Sequence, residues 1–361
     1  MKILIVTTGG TICSTASAEN GNKNNVNTGA VLPVLVDEAK NSLKKDLDVS
    51  DLSFDIVSPI NVLSENMTIE AWNVLLAALR DVDYGKYSGL IILHGTDSLH
   101  MTAPLLSVLM RGLECPVILV SGNRIITDPE SNAVENFANA VRMINVISIN
   151  KPENESLESN VFPSDNTYVV YRNMNGISYV HRAALLEECA DYSEDFFSAG
   201  MIRFEEWIEK ETIEGKSVNK IDIEEEVSVE EALDNDHFEG PPLIKKNILL
   251  TDDVLYIKPY VGINYNRFSL EEVRCVLHGL YHSSTANAAD DSAHSALHLL
   301  KRCKDAGIPM YIYPCNKDSY RYVTTKALLE AGAIPLNGGT WNLAYSRLLV
   351  ANSKKTQEQV R

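Results

Sequence analysis

Four short apolar runs, each followed in the chain by a cluster of small polar residues, constrain this chain more than any other feature. Lys2 to Val6 (KILIV), Phe54 to Val57, Leu90 to Leu93 and Val117 to Val120 have the length of buried strands and are too short for helices. The segments between them carry apolar residues at helical spacing. Thr68 can cap a helix that presents Trp72, Leu75, Leu76 and Leu79 on one face, with Trp72 in the core. Asp128-Pro129-Glu130 reads as a helix start, and that helix continues through Val134, Phe137, Val141 and Ile144. The helix after Ser98 can stop at Gly112. Strands alternating with helices through short connections predict an α/β protein, its mostly parallel sheet covered by helices on both faces.

The stretch from Phe204 to Gly240 breaks the alternation. It holds 14 acidic residues against 3 lysines and closes on Gly240-Pro241-Pro242. It reads as a solvated, partly helical linker; a surface for a cationic partner is the sharper alternative. After Lys246 the alternation returns. Ile248 to Leu250, Val254 to Lys258 and Met310 to Tyr313 are strand-like, and Ala293 to Leu300, Thr324 to Ala331 and Leu343 to Val350 are helical. The 361 residues thus divide into an N-terminal domain over 1–203, an acidic linker over 204–246 and a smaller C-terminal α/β domain over 247–361.

Composition excludes several classes of partner. With 32 Lys+Arg against 49 Asp+Glu, the net charge of -17 repels phosphate backbones and anionic lipid, so neither nucleic acid nor a membrane is expected. No apolar run approaches the roughly 18 residues that cross a bilayer, and the N-terminus lacks the apolar stretch and cleavage site of a secretory leader. Six scattered cysteines without a CxxC read as thiols in a reducing cytoplasm. On helices, His278 with His282 and His294 with His298 would each share a face, and Asp290 and Asp291 stand nearby. Without an HExxH arrangement these read as surface or interface histidines, and no metal is expected.

The polar residues after the strands carry the chemistry. Thr7-Thr8-Gly9-Gly10-Thr11 follows the first. Ser64-Glu65-Asn66 comes some way past the second. His94-Gly95-Thr96-Asp97-Ser98 follows the third, and Ser121-Gly122-Asn123-Arg124 the fourth. In an open parallel sheet ligands bind beyond the carboxyl ends of the strands, so these clusters would converge on one pocket. Gly9 and Gly10 let backbone N–H groups approach a ligand, and Thr11 beside them could act as a nucleophile with those amides stabilising an oxyanion. Asp97 could bind an ammonium group or polarise a hydroxyl. Arg124 could bind an anion at the pocket floor or pair with an acidic residue. There is no GxGxxG, GxxxxGK[ST] or GxSxG, so nucleotide phosphates and a serine elbow have little support.

Thr8-Gly9-Gly10-Thr11-Ile12 behind an N-terminal strand, with His94-Gly95-Thr96-Asp97-Ser98 further on, resembles the bacterial-type L-asparaginase family. Leu63 to Thr68, Val117 to Arg124 with Ser131 and Asn136, and Gly338-Gly339-Thr340 extend the resemblance over most of the chain. The resemblance implies two α/β domains and hydrolysis of the side-chain amide of asparagine, sometimes of glutamine, without metal or cofactor. It implies Thr11 as nucleophile and a second activating group, Thr-Lys-Asp, whose first and third members are Thr96 and Asp97. It implies that Ser64 and Asp97 hold the α-carboxylate and α-ammonium groups and that the chain forms a homodimer or homotetramer; Gly10, Gly95 and Glu65 are read as lining the same site.

The sequence departs from that pattern in three places. No lysine lies between Lys151 and Lys210; Arg182 is the match by its spacing from Ile177, and an arginine cannot serve as a base. His181 beside it could. The loop after Thr11 has no tyrosine, the first in the chain being Tyr84, and Glu65 stands where the family has a neutral or small residue. Two alternatives stay open: a catalytically silent amino-acid-binding protein, which these departures suggest, and an ammonia-supplying subunit of an amidotransferase, for which the acidic segment is the one sequence feature.

Overall fold

The computed structural model describes residues 1–16, 24–150, 166–214, 242–289 and 292–355. They fall into two compact units, the second beginning at Leu249.

The first unit is built on a seven-stranded sheet. Its strands are β1 (Lys2–Thr7), β4 (Ser53–Val57), β5 (Gly89–Leu93), β6 (Val117–Val120), β7 (Thr167–Arg172), β8 (Ser178–Arg182) and β9 (Ile202–Arg203), in the order β4-β1-β5-β6-β7-β8-β9. A short antiparallel pair, β2 (Ser14–Ala16) and β3 (Asn24–Val26), stands apart from it. The run β4-β1-β5-β6-β7 is parallel, and β8 turns back antiparallel to β7. The central strands β5 and β6 are wholly buried, as their unbroken apolar runs require.

Helices α1 (Thr28–Leu43), α2 (Ile69–Arg80), α3 (Leu99–Leu109), α4 (Ala133–Ile149) and α5 (Phe204–Glu214) belong to this unit. Leu32 and Leu35 of α1 and Phe137, Val141 and Ile144 of α4 share one core with Ile3, Ile5, Ile91, Leu93, Ile118 and Val120. The helix expected from Thr68 is α2: the Thr68 hydroxyl accepts from Ala71 N–H at 3.2 Å, and Trp72, Leu75, Leu76 and Leu79 are buried.

Three local expectations need correction. Asp128 does not cap α4, which begins at Ala133 after Asn132; the Asp128 carboxylate instead accepts from Glu130 N–H at 2.9 Å in a preceding turn. β4 is an edge strand paired only with β1, so Ile56 is 53% exposed and Val57 36%. The acidic stretch is not solvated from its start, because α5 buries Phe204 and Trp207 in the core of this unit. The expected linker beyond it, over 215–241, lies outside the described residues.

The second unit repeats the principle on a smaller scale. Strands Val254–Ile257, Cys275–Gly279, Met310–Tyr313 and Ile334–Pro335 form a four-stranded parallel sheet in chain order. Its helices run Ala296–Asp305, Val323–Glu330 and Trp341–Asn352. Ser295 caps the first and Thr340 the last. His278 lies on a buried strand, its Nε2 2.7 Å from the Tyr265 hydroxyl, so the i,i+4 helix pairing with His282 does not form. Among the described residues no group of three or more His, Cys, Asp or Glu is placed to hold a metal ion.

Candidate active site

The sheet register brings the polar clusters of the first unit to one edge. Thr7, Leu93, Val120 and Val170 stand at one level on β1, β5, β6 and β7. Beyond that level the chain leaves the sheet at β1, β5 and β6, where the next residues carry the motifs, while β7 runs on to Arg172.

The Gly9-Gly10 pair is dictated by backbone crowding. Val62 N–H donates to the Thr8 carbonyl and Gly10 N–H donates to the Val62 carbonyl, both at 2.9 Å. Gly9 has φ 108° and Gly10 φ 76°, and a Cβ on Gly9 would lie 2.2 Å from the Val62 oxygen. Thr11 then opens a single 3-10 turn, Thr11–Cys13, tied back by the Ser14 hydroxyl donating to the Gly10 carbonyl at 2.8 Å. The Thr11 side chain is partly exposed at this edge.

Gly10, Gly95 and Ser64 stack against one another. A Cβ on Gly10 would lie 2.3 Å from the Gly95 Cα, and one on Gly95 would lie 2.4 Å from the Ser64 Oγ. The peptides that precede Thr11 and Thr96 are thus in van der Waals contact, although 85 residues separate the two threonines. Ser64 is buried and its hydroxyl donates to Asp97 Oδ2 at 2.9 Å while accepting from Asp97 N–H at 3.1 Å. The Ser98 hydroxyl donates to the Ser64 carbonyl at 2.7 Å. Asp97 and Glu65 are exposed and Thr96 partly so. His94 beneath them is fully buried, and burial pushes its imidazole down to about 4, so it is neutral near pH 7.

The fourth cluster forms the neighbouring wall. Asn123 and Asn132 clasp each other, each side-chain oxygen accepting from the other's N–H, at 2.9 and 3.1 Å. The Asn123 amide donates to Glu194 at 2.7 Å. Arg124 pairs with Glu130 at 2.6 Å and Asp128 at 3.5 Å, which favours the pairing role over the anion-binding one.

The register removes Arg182 from this place. The turn Asn173–Ile177 pairs Arg172 with Ser178, and hence Tyr168 with Arg182. Arg182 therefore stands level with Ile118 and Ile91, two residues back from Val120 and Leu93 in the interior of the sheet. It is also three strands from β5, about 14 Å to the side at roughly 4.8 Å per strand. His181 is no better placed as a base. It is buried, its Nδ1 lies 2.9 Å from the Ser198 hydroxyl, and burial pushes it down to about 3. The cation that β7 does bring to the carboxyl edge is Arg172, 2.9 Å from Glu135. Arg172, Tyr171 and Glu194 gave no signal in sequence, because none lies in a motif and their places depend on strand pairing and on the chain beyond the hairpin.

Chemically, the edge offers two threonine hydroxyls on touching loops, backbone amides beside glycines, and a carboxylate held by a buried serine. Burial and then the Asp195 and Asp97 carboxylates push the Cys189 thiol up to about 12, which leaves it protonated and a poor nucleophile.

Fold and site together define a two-unit α/β protein with its polar groups gathered at the carboxyl edge of the larger parallel sheet. Residues 2–155 match the family model described as asparaginase, N-terminal. The chain is 32% identical over 142 residues to a glutamyl-tRNA(Gln) amidotransferase subunit from Methanococcus maripaludis, a match covering 39% of this chain and 31% of that protein. The corresponding protein from Saccharolobus solfataricus is 32% identical over 141 residues, 39% of this chain and 30% of the relative. The matched part thus spans about a third of the length of these relatives. Among solved structures, the thermostable L-asparaginase from Thermococcus kodakarensis superposes with a TM-score of 0.64 at 17% identity, covering 97% of this chain and 92% of that one. L-asparaginase I from Vibrio cholerae gives 0.63 at 19%, again covering 97% and 92%. The N-terminal part of the chain thus matches the asparaginase family model, and the fold of the chain is that of the L-asparaginases.

Proposed function

We propose that this protein is an amidohydrolase that cleaves the side-chain amide of asparagine, or of a related amide-bearing amino acid, to the acid and ammonia. Thr11 attacks the amide carbon, and N–H groups of the Gly9-Gly10 turn stabilise the oxyanion. Thr96 and Asp97 are the second activating pair. Ser64, Glu65 and Asp97 hold the amino-acid end, with Asp97 facing the ammonium group. The observation that carries this reading is the contact of the Gly10 and Gly95 backbones, which sets the two threonine-bearing loops side by side. Arg182 and His181 take no part in this reading; the work of a positioned lysine falls to groups at the carboxyl edge.

The similarity to an amidotransferase component favours a second reading, in which the same chemistry acts on glutamine and the ammonia passes to a partner protein. Ammonia release from asparagine and from glutamine, measured side by side, separates the two. Thr11→Ala should abolish turnover of whichever amide is used. Full activity in that variant would remove Thr11 from the mechanism. Absence of turnover in the unmodified protein, with asparagine binding seen by calorimetry, would make it a silent amino-acid-binding protein.

A further inference from the structure

Beneath the motif loops, three polar side chains stand in a row at the carboxyl ends of adjacent strands. His94, Ser121 and Tyr171 follow the level set by Leu93, Val120 and Val170 on β5, β6 and β7, so they share one face of the sheet, with Ser121 in the middle. Leu93, Val120 and Val170 face the opposite side, into the core with Phe137. All three polar residues are 0% exposed. His94 Nε2 and Ser121 Oγ have no hydrogen-bond partner among the described residues, and the Tyr171 hydroxyl has no acceptor there for its proton. A buried polar atom of this kind costs on the order of 1–3 kcal/mol if left unpaired, and three in a row on one face call for a common explanation.

Their chemistry is complementary. The His94 Nδ1 lies 2.7 Å from the Gly95 carbonyl, which can only accept, so Nδ1 carries the proton and Nε2 offers a lone pair. Ser121 and Tyr171 each supply a hydroxyl proton. The Asn132 amide beside Tyr171, already donating to the Arg172 carbonyl at 2.8 Å, can only donate to the phenol oxygen. Every member can therefore point its proton the same way, from Asn132 through Tyr171 and Ser121 to His94 and on to the Gly95 carbonyl. The short serine side chain does not reach a tyrosine hydroxyl across one strand spacing, and water is the group of the right size to close the row.

We propose that His94, Ser121 and Tyr171 form a water-closed hydrogen-bonded row that fixes the Gly95–Thr96 peptide, and that these three are positioning residues for the reaction. Gly95 is where the row meets the site. It is pressed between Gly10 and Ser64, so displacing its carbonyl moves Thr96 and the contacts of both neighbours. The positioning role rests on the amidohydrolase reading; the row itself does not.

Two measurements on the full-length unmodified protein test the row without reference to activity. A crystal structure at high resolution should show ordered water within hydrogen-bond distance of His94 Nε2 and of at least one of the two hydroxyls. Nitrogen-15 NMR should report His94 as the neutral Nδ1–H tautomer at pH 7. A dry row or the Nε2–H tautomer overturns the proposal. Kinetics test the positioning role. Tyr171→Phe and Ser121→Ala should lower kcat by about tenfold to a hundredfold with KM little changed, as for a small misplacement of a reacting group, and Ser121→Thr should recover part of the loss. An unchanged kcat in both hydroxyl-free variants overturns the positioning role. If the unmodified protein has no amidase activity, the amidohydrolase reading fails while water and tautomer still decide the row.

Discussion

The Ser64 hydroxyl gives its proton to Asp97 Oδ2 at 2.9 Å and receives the Asp97 backbone N–H at 3.1 Å. One buried side chain thereby fixes both the carboxylate and the main chain of a residue 33 positions away. Ser64→Ala removes both bonds while Asp97 keeps its solvent exposure. The expected loss is about 1.5–3 kcal/mol of interaction with bound substrate, roughly tenfold to a hundredfold in kcat/KM. Steady-state kinetics on the amide substrate check it, and a variant with unchanged kcat/KM would detach Ser64 from the site.

Gly10 and Gly112 share positive φ values, 76° and 79°, but differ in their surroundings. Gly112→Ala meets nothing within 4 Å and should cost only the left-handed backbone penalty of about 1–2 kcal/mol. Gly10→Ala adds a Cβ only 2.3 Å from the Gly95 Cα and should cost about 3 kcal/mol or more. Urea unfolding of the two variants in parallel measures the difference. Equal losses would mean that the two loops do not touch.

Three fully buried histidines should make the protein acid-sensitive. His94, His181 and His278 sit near 4, 3 and 4, against an ordinary value of 6.5. Between those limits the unfolded chain binds more protons than the folded one, so stability falls as the pH drops below 6.5 and levels off only beneath the folded values. The slope is at most about 1.4 kcal/mol per pH unit for each histidine. Urea midpoints between pH 6.5 and 5 should decline, and His181→Gln should flatten the decline. A flat profile in the unmodified protein would show that these rings are not held neutral.

Arg182 provides a negative control drawn from the sheet register. Arg182→Lys should leave kcat and KM at the values of the unmodified protein, because the residue stands level with Ile118 and three strands from β5. A large gain in kcat would show that a lysine at this position does reach the reacting groups.

In the second unit, the buried Thr340 hydroxyl accepts from Leu343 N–H at 3.1 Å at the start of the last helix. Thr340→Ala should lower stability by about 1–2 kcal/mol, and Thr340→Ser should restore most of it. Thermal unfolding of the pair tests whether the cap or the threonine methyl matters.

The amino-acid sequence alone determined what depends on near neighbours along the chain. Apolar runs specified the central strands, Thr68 specified the start of α2, and Gly9-Gly10 marked a backbone that a neighbouring group can approach closely. These are local properties, set by side-chain periodicity and φ/ψ freedom. Tertiary structure decided the rest. Whether Phe54 to Val57 is a central or an edge strand depends on what pairs with it, and whether α5 is solvated depends on where Trp207 can be buried. The turn at Asn173–Ile177 fixes which residues of β8 face which of β7. That sends Arg182 into the interior of the sheet, while the parallel pairing of β5, β6 and β7 lines Tyr171 up with Ser121 and His94. Register is a non-local choice among pairings with similar local propensity, so residue spacing cannot report it.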